Sequence, residues 1–135
     1  MVQWHERSDK KPSGGKRHTV NAVSKKLSAR GGTAALTKTD TSVAKDHIEA
    51  KRGMGNTSKT RALAVKHANI TDKSGKISKV EIIAVKTNDA NRLFARSNVS
   101  TKGAIIRVKV EGAEKLAKVT NRPGQEGVVN AILLE

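Results

Sequence analysis

Residues 105–111 read Ile105-Ile106-Arg107-Val108-Lys109-Val110-Glu111. Ile106, Val108 and Val110 alternate with Arg107, Lys109 and Glu111, the period-two pattern of a strand with one apolar and one wet face. The wet face is itself mostly basic. Working outward toward the end of the chain, residues 115–120 and 127–134 predict two further strands. They are joined by Arg122-Pro123-Gly124-Gln125, where Pro fixes the first turn position and Gly supplies positive φ in the next. Residues 102–134 therefore predict a three-stranded meander.

Upstream, residues 62–70 and 77–87 are β-rich runs separated by Thr71-Asp72-Lys73-Ser74-Gly75-Lys76, a polar segment with turn chemistry, which predicts a hairpin. Between the two units, residues 88–101 hold the helix-compatible Ala90, Arg92, Leu93, Ala95 and Arg96, with Asn88 or Asp89 placed to cap a first turn. Short antiparallel strands with no long amphipathic helix to cover them are best satisfied by curling the sheet closed. The expected fold is mainly all-β: a small antiparallel β-barrel of about six strands with a short helical turn and an extended basic amino-terminal arm. Residues 41–51, with Val43 and Ile48 as their large apolar residues, are the expected closing strand.

Apolar residues divide the chain unevenly. Val, Ile, Leu, Met, Phe and Trp number ten in residues 1–61 and 22 in residues 62–135, so the core belongs mainly to the second half. Residues 1–30 carry eight basic groups against two acidic ones and only six of these large apolar side chains, the composition of an arm that orders on its partner. The expected division is an arm over residues 1–35 and a barrel over residues 36–135.

Charge dominates the functional reading. The chain carries 27 Lys and Arg against 12 Asp and Glu, a formal net charge of +15 in 135 residues, and its aromatics are Trp4 and Phe94. Such a balance calls for a polyanion as partner. Stacking on bases needs aromatic faces, so the composition favours gripping phosphates and helix shape. There is no cysteine, which removes disulfides, thiolate metal sites and cysteine nucleophiles. No apolar run approaches the roughly 20 residues that cross a bilayer, and a soluble, non-secreted protein is expected. On that reading the sequons at Asn56, Asn69 and Asn98 carry no weight. His5, His18, His47 and His67 show no metal-ligand spacing, and no acid–base constellation emerges. No enzymatic activity, cofactor, metal or small-molecule substrate is expected.

Two segments concentrate charge around glycine. Lys10-Lys11-Pro12-Ser13-Gly14-Gly15-Lys16-Arg17 packs four cations around two glycines, so backbone amides can approach phosphate while the flanking charges neutralise it. It is not a nucleotide phosphate loop, since Lys10 stands where the first Gly belongs and Arg17 where the hydroxyl does. Arg52-Gly53-Met54-Gly55-Asn56, followed by Lys59 and Arg61, offers a turn leading into a strand with basic side chains at its mouth.

The segment Asn88-Asp89-Ala90-Asn91-Arg92-Leu93-Phe94-Ala95-Arg96-Ser97-Asn98, followed by Lys102-Gly103-Ala104-Ile105-Ile106, resembles the S8e family of archaeal and eukaryotic small-subunit ribosomal proteins. So does the ending, from Ala117-Lys118-Val119-Thr120-Asn121-Arg122-Pro123-Gly124-Gln125-Glu126-Gly127 to Val128-Val129-Asn130-Ala131. Arg7-Ser8 with Lys11-Pro12-Ser13-Gly14-Gly15-Lys16 is similar to the family's opening, and Gly55-Asn56 with Lys59 and Arg61 to its Gly-Gly-Asn turn. The short form, without a long internal insertion, looks archaeal.

The resemblance implies a small β-barrel on small-subunit ribosomal RNA, with a basic extension threaded among RNA helices and neighbouring small-subunit proteins as further partners, in the cytoplasmic ribosome. Phosphate contact is expected from Lys10, Lys11, Lys16, Arg17, Lys25, Lys26 and Arg30 on the arm, and close backbone approach at Gly14 and Gly15, with Ser13 in the same loop. On the barrel side the candidates are Arg52, Lys59, Arg61, Arg92, Arg96, Lys102 and Arg122, with Gly55 at the turn. Asn56, Asn91, Asn98 and Gln125 either bond sugar hydroxyls or hold their own loops. The rival readings are an assembly factor on the same barrel and a general binder of DNA or anionic membrane. The latter calls for a basic amphipathic or groove-reading helix, which the sequence lacks.

Overall fold

A computed structural model describes residues 2–18, 25–53, 55–110 and 112–134. Met54, in the glycine-flanked basic turn, and Glu111, at the end of the wet strand face, lie outside the described residues. Contacts along the chain cluster in two units, Met1–Ala34 and Ala35–Glu135.

In the first unit, strands β1 (Val2–Trp4) and β2 (Arg30–Gly32) pair antiparallel, with Val2 opposite Gly32 and Trp4 opposite Arg30. A single 3-10 turn at Leu27–Ala29 leads into β2, and the His5 N–H donates to the Ala29 carbonyl at 2.8 Å.

The second unit holds β3 (Lys38–Thr39), β4 (His47–Arg52), β5 (Ser58–Val65), β6 (His67–Thr71), β7 (Ile77–Thr87), helix α1 (Arg92–Arg96), β8 (Ile105–Val110), β9 (Ala113–Val119), helix α2 (Pro123–Glu126) and β10 (Asn130–Leu134). Five of these strands close a barrel in the order β10-β6-β7-β8-β9. The predicted hairpin is present, with Thr71 opposite Ile77 across the polar turn, and so is the meander of β8, β9 and β10. The barrel strands bury alternate residues, β7 with a register shift between Ile82 and Ala84: Ile70, Ile82, Ile106, Val108 and Val119 are fully or almost fully enclosed. Ala68, Ala117 and Ala131 share that interior. A five-stranded barrel is narrow, and small residues set against Ile and Val let the walls approach without voids.

Residues 41–51 do not close it. Closure is made by β10, which runs parallel to β6 with Asn130 opposite Asn69 and Ala131 opposite Ile70. Strand β4 instead pairs with β5 in a separate three-stranded sheet, β3-β5-β4. A barrel strand must bury every second side chain, whereas His47, Ile48, Glu49 and Ala50 are all exposed. The run 62–70 is likewise two strands, divided at Lys66, whose N–H leaves the ladder for Asp46 Oδ1 at 2.7 Å.

Two local expectations are also corrected. Neither Asn88 nor Asp89 caps α1: the Leu93 N–H donates to Asn91 Oδ1 at 2.9 Å. Asn88 is buried, its amide donating to the Val99 carbonyl while its oxygen accepts from the Ala90 N–H and the Thr101 hydroxyl. The Arg122–Gln125 turn becomes α2, with Pro123 in its first turn and the positive φ of +77° at Gly127, not at Gly124. Gly127 closes this helical turn by donating to the Pro123 carbonyl at 3.0 Å.

Candidate nucleic-acid interface

The basic motif of the first unit is a formed hairpin. The Lys11 N–H donates to the Gly15 carbonyl at 2.8 Å, the Gly14 N–H to the Lys11 carbonyl at 2.9 Å, and the Arg17 N–H to the Asp9 carbonyl at 2.8 Å. Pro12 and Ser13 occupy the centre of the turn, and Gly14, at φ +85°, takes the left-handed position that lets the chain return. Lys10 and Lys16 are placed directly opposite one another as an isolated antiparallel bridge. Lys10, Lys11, Ser13, Gly14, Gly15, Lys16 and Arg17 are all exposed. In the same unit Lys25, Lys26 and Arg30 are exposed, Lys26 just ahead of the 3-10 turn and Arg30 at the start of β2.

In the second unit the candidates gather in two groups. The first surrounds the β4–β5 hairpin. Its ladder sets Arg52 opposite Ser58, Lys51 opposite Lys59 and Glu49 opposite Arg61. The Gly53 N–H donates to the Thr57 carbonyl across the loop, where Gly55 has φ +70° and Asn56 is exposed. Lys59 Nζ donates to Gln125 Oε1 at 3.1 Å, tying α2 and the exposed Arg122 before it to β5. Gly127 makes the approach close: a Cβ there would stand 2.9 Å from Thr60. Arg61 Nε is buried and makes no hydrogen bond among the described residues.

The second group is α1 and the loop after it. Arg92 and Arg96 are exposed, four residues apart on one helical face. Asn88 ties this segment to the loop preceding β8 through Thr101, beside the exposed Lys102. Asn98 sits at φ +52°, and its Oδ1 accepts from the Val85 N–H at 3.3 Å. Asn91, Asn98 and Gln125 thus spend side-chain oxygens within their own unit.

Three like-charge arrangements are therefore built into the backbone: Lys10 facing Lys16, Lys51 facing Lys59, and Arg92 four residues from Arg96. Directly opposed like charges on a sheet each cost about 0.2–1 kcal/mol, and like pairs on a helix a few tenths. Among the described residues none of these six cations forms an ion pair. Other cations among the described residues do pair, Lys66 with Glu81 at 3.2 Å, His67 with Asp46 at 3.5 Å and Arg107 with Glu114 at 3.9 Å. Lys51 escaped the sequence reading because only the strand register reveals its partner. Arg107 and Lys109 point outward, as the alternation around Val108 foretold, with Glu81 and Glu114 opposite Lys109 and with Lys118 exposed on the neighbouring strand.

Among the described residues no group of three or more His, Cys, Asp or Glu comes together to hold a metal ion, and no helix is long and apolar enough to cross a membrane. Fold and surface together define a small, basic β-barrel protein. The chain belongs to the ribosomal protein S8e family, whose profile matches residues 4–134. It is 38% identical over 133 residues to the small ribosomal subunit protein eS8 of Methanocorpusculum labreanum, covering 98% of each chain. It is 38% identical to the protein of the same name in Methanosphaera stadtmanae, over the full length of both, and 36% identical to that of Methanoculleus marisnigri, over 98% of this chain and 99% of the relative. These relatives are archaeal, as the short form of the chain suggested, and the family is one of ribosomal structural proteins not known to be enzymatic.

Proposed function

We propose that this chain is a structural constituent of the small ribosomal subunit in the cytoplasm, binding ribosomal RNA through its basic arm and the basic residues of its barrel surface, beside neighbouring small-subunit proteins. Residues 1–35 serve as the arm and residues 36–135 as the body. The observation that carries this reading is the set of opposed cations, Lys10 with Lys16, Lys51 with Lys59 and Arg92 with Arg96. A fold that holds like charges together with no ion pair among the described residues to offset them has a surface suited to an external polyanion, whose phosphates turn each repulsion into a bridged pair. RNA helices that approach one another repel through their phosphates, and a cationic body between them supports subunit assembly and translation by removing that repulsion.

The test is sedimentation of a native cell extract through sucrose at low and high salt, probing for this chain. Retention with mature small subunits is the expected result. Confinement to precursor particles would replace the structural role by an assembly factor. Migration as free protein under both conditions would overturn the ribosomal reading in favour of a general polyanion binder.

A further inference from the structure

We infer that a cleft on the outer wall of the barrel receives a single unpaired RNA nucleotide, an inference that rests on the RNA-binding reading above and deepens it. The cleft, of about 250 Å³, lies over β6 between the start of β4 and the segment joining α2 to β10. That volume is below the ~300–1,000 Å³ of pockets for larger organic ligands, a scale that suits one base.

Its walls and floor have the complementary chemistry. Ile48 and Val128, 47% and 40% exposed, flank the opening as two aliphatic surfaces. Strand β6 presents His67 and Asn69 from the floor, and Lys79 lies directly opposite Asn69 on β7. The Asn69 amide nitrogen donates to Asn130 Oδ1 at 3.2 Å, which leaves its carbonyl oxygen to accept from a base edge. Asp46 is already engaged: Oδ1 accepts the Lys66 N–H at 2.7 Å, and Oδ2 lies 3.5 Å from His67 Nδ1. That contact orients the imidazole and leaves Nε2 for a ligand. Glu81, opposite His67, is held by Lys66 at 3.2 Å, which offsets its charge beside an incoming phosphate.

Lys79 is exposed and makes no ion pair among the described residues. A planar base between Ile48 and Val128 would set its polar edge on Asn69 and His67 and its phosphate on Lys79. Extrusion costs least for a nucleotide that is already unpaired, so a bulge or loop is the class of RNA element that fits.

The test follows the backbone amides of the full chain by NMR during titration with each of the four ribonucleoside 5′-monophosphates, with inorganic phosphate as reference. At least one nucleotide is expected to saturate shifts centred on Asn69, Lys79 and Val128, with an affinity at least about fivefold above that of phosphate, the gain of about one kcal/mol of base contact. Lys79→Ala and Val128→Ser, both at exposed positions, are each expected to weaken that nucleotide about fivefold while leaving shifts elsewhere unchanged. Equal affinities and equal shift patterns for nucleotide and phosphate would overturn the cleft, as would variants that bind like wild type. Val128→Ser removes no charge, so its loss of the cleft leaves duplex binding and its salt dependence intact, whereas Lys79→Ala also lowers the salt slope by about 0.7–0.9. Failure of the RNA-binding reading removes both.

Discussion

Replacing Lys51 by Gln should make the second unit more stable and its grip on RNA weaker. Lys51 stands directly opposite Lys59 on the β4–β5 ladder. Gln keeps most of the aliphatic stem and removes one charge. The Lys59 bond to Gln125 at 3.1 Å is untouched, and Glu49, two residues along the same face, keeps its place opposite Arg61. Relief of a directly opposed like pair is worth ~0.2–1 kcal/mol, which for a domain of this size raises Tm by about 1–5 °C. The gain should disappear near ~1 M salt, where the screening length falls to about 3 Å. Binding to a duplex RNA should weaken, and the slope of log affinity against log salt should fall by about 0.7–0.9, the loss of one phosphate contact. Thermal unfolding at low and high salt and fluorescence anisotropy across a salt series read the two effects. A lower Tm at low salt, or an unchanged slope, would refute the reasoning, because Lys51 would then be net stabilising in the free protein or make no phosphate contact.

Four further outcomes follow from the geometry. Replacing Lys16 and Arg17 together by Ala should lower the salt slope by about two while leaving the barrel's Tm nearly unchanged, and a large thermal loss would show that these residues pack on the core. Gly127→Ala should cost about 1–3 kcal/mol in chemical denaturation, since it forces a side chain into φ +77° and to within 2.9 Å of Thr60. Asn88→Ala should cost about 1–3 kcal/mol by the same assay, because it strands the buried Val99 carbonyl and removes the part-buried bonds from the Ala90 N–H and the Thr101 hydroxyl. Asp40 is held below the usual carboxylate range by the Ser42 hydroxyl at 2.6 Å, the Ser42 N–H at 2.9 Å and the charge of Lys38. A depressed native pKa adds stability that is present above the unfolded value and lost as pH falls through the native one. Ser42→Ala should therefore move the Asp40 titration upward, which NMR can follow directly.

Much of the barrel was legible because its strands bury alternate residues, and alternation is a local signal. Ile106, Val108 and Val110 announce β8 without reference to any neighbour, and the turn at 71–76 announces the pairing of β6 with β7. The misread places share a cause: their structure depends on a partner distant in sequence. Asn88 reads as a helix cap until it is found buried beneath Val99 and Thr101, which leaves the cap to Asn91. Residues 41–51 read as a wall strand until β10 takes that place. The candidate interface divides in the same way. Its charge and its glycine-punctuated hairpin are written in the composition and order of residues 10–17. Lys51 and the cleft over β6 emerge only when register and packing bring separate segments together.

The sequence by itself determined that this protein is a basic, mostly β chain with its core in the second half, because apolar periodicity and net charge are properties of local order and composition. Only the tertiary structure decided how the barrel closes and which cations oppose one another. Parallel pairing of β10 with β6 joins residues about sixty positions apart, Asn130 with Asn69, and no local pattern encodes such a register. It is fixed by which arrangement fills a narrow interior with Ile, Val and Ala while satisfying the backbone of both strands.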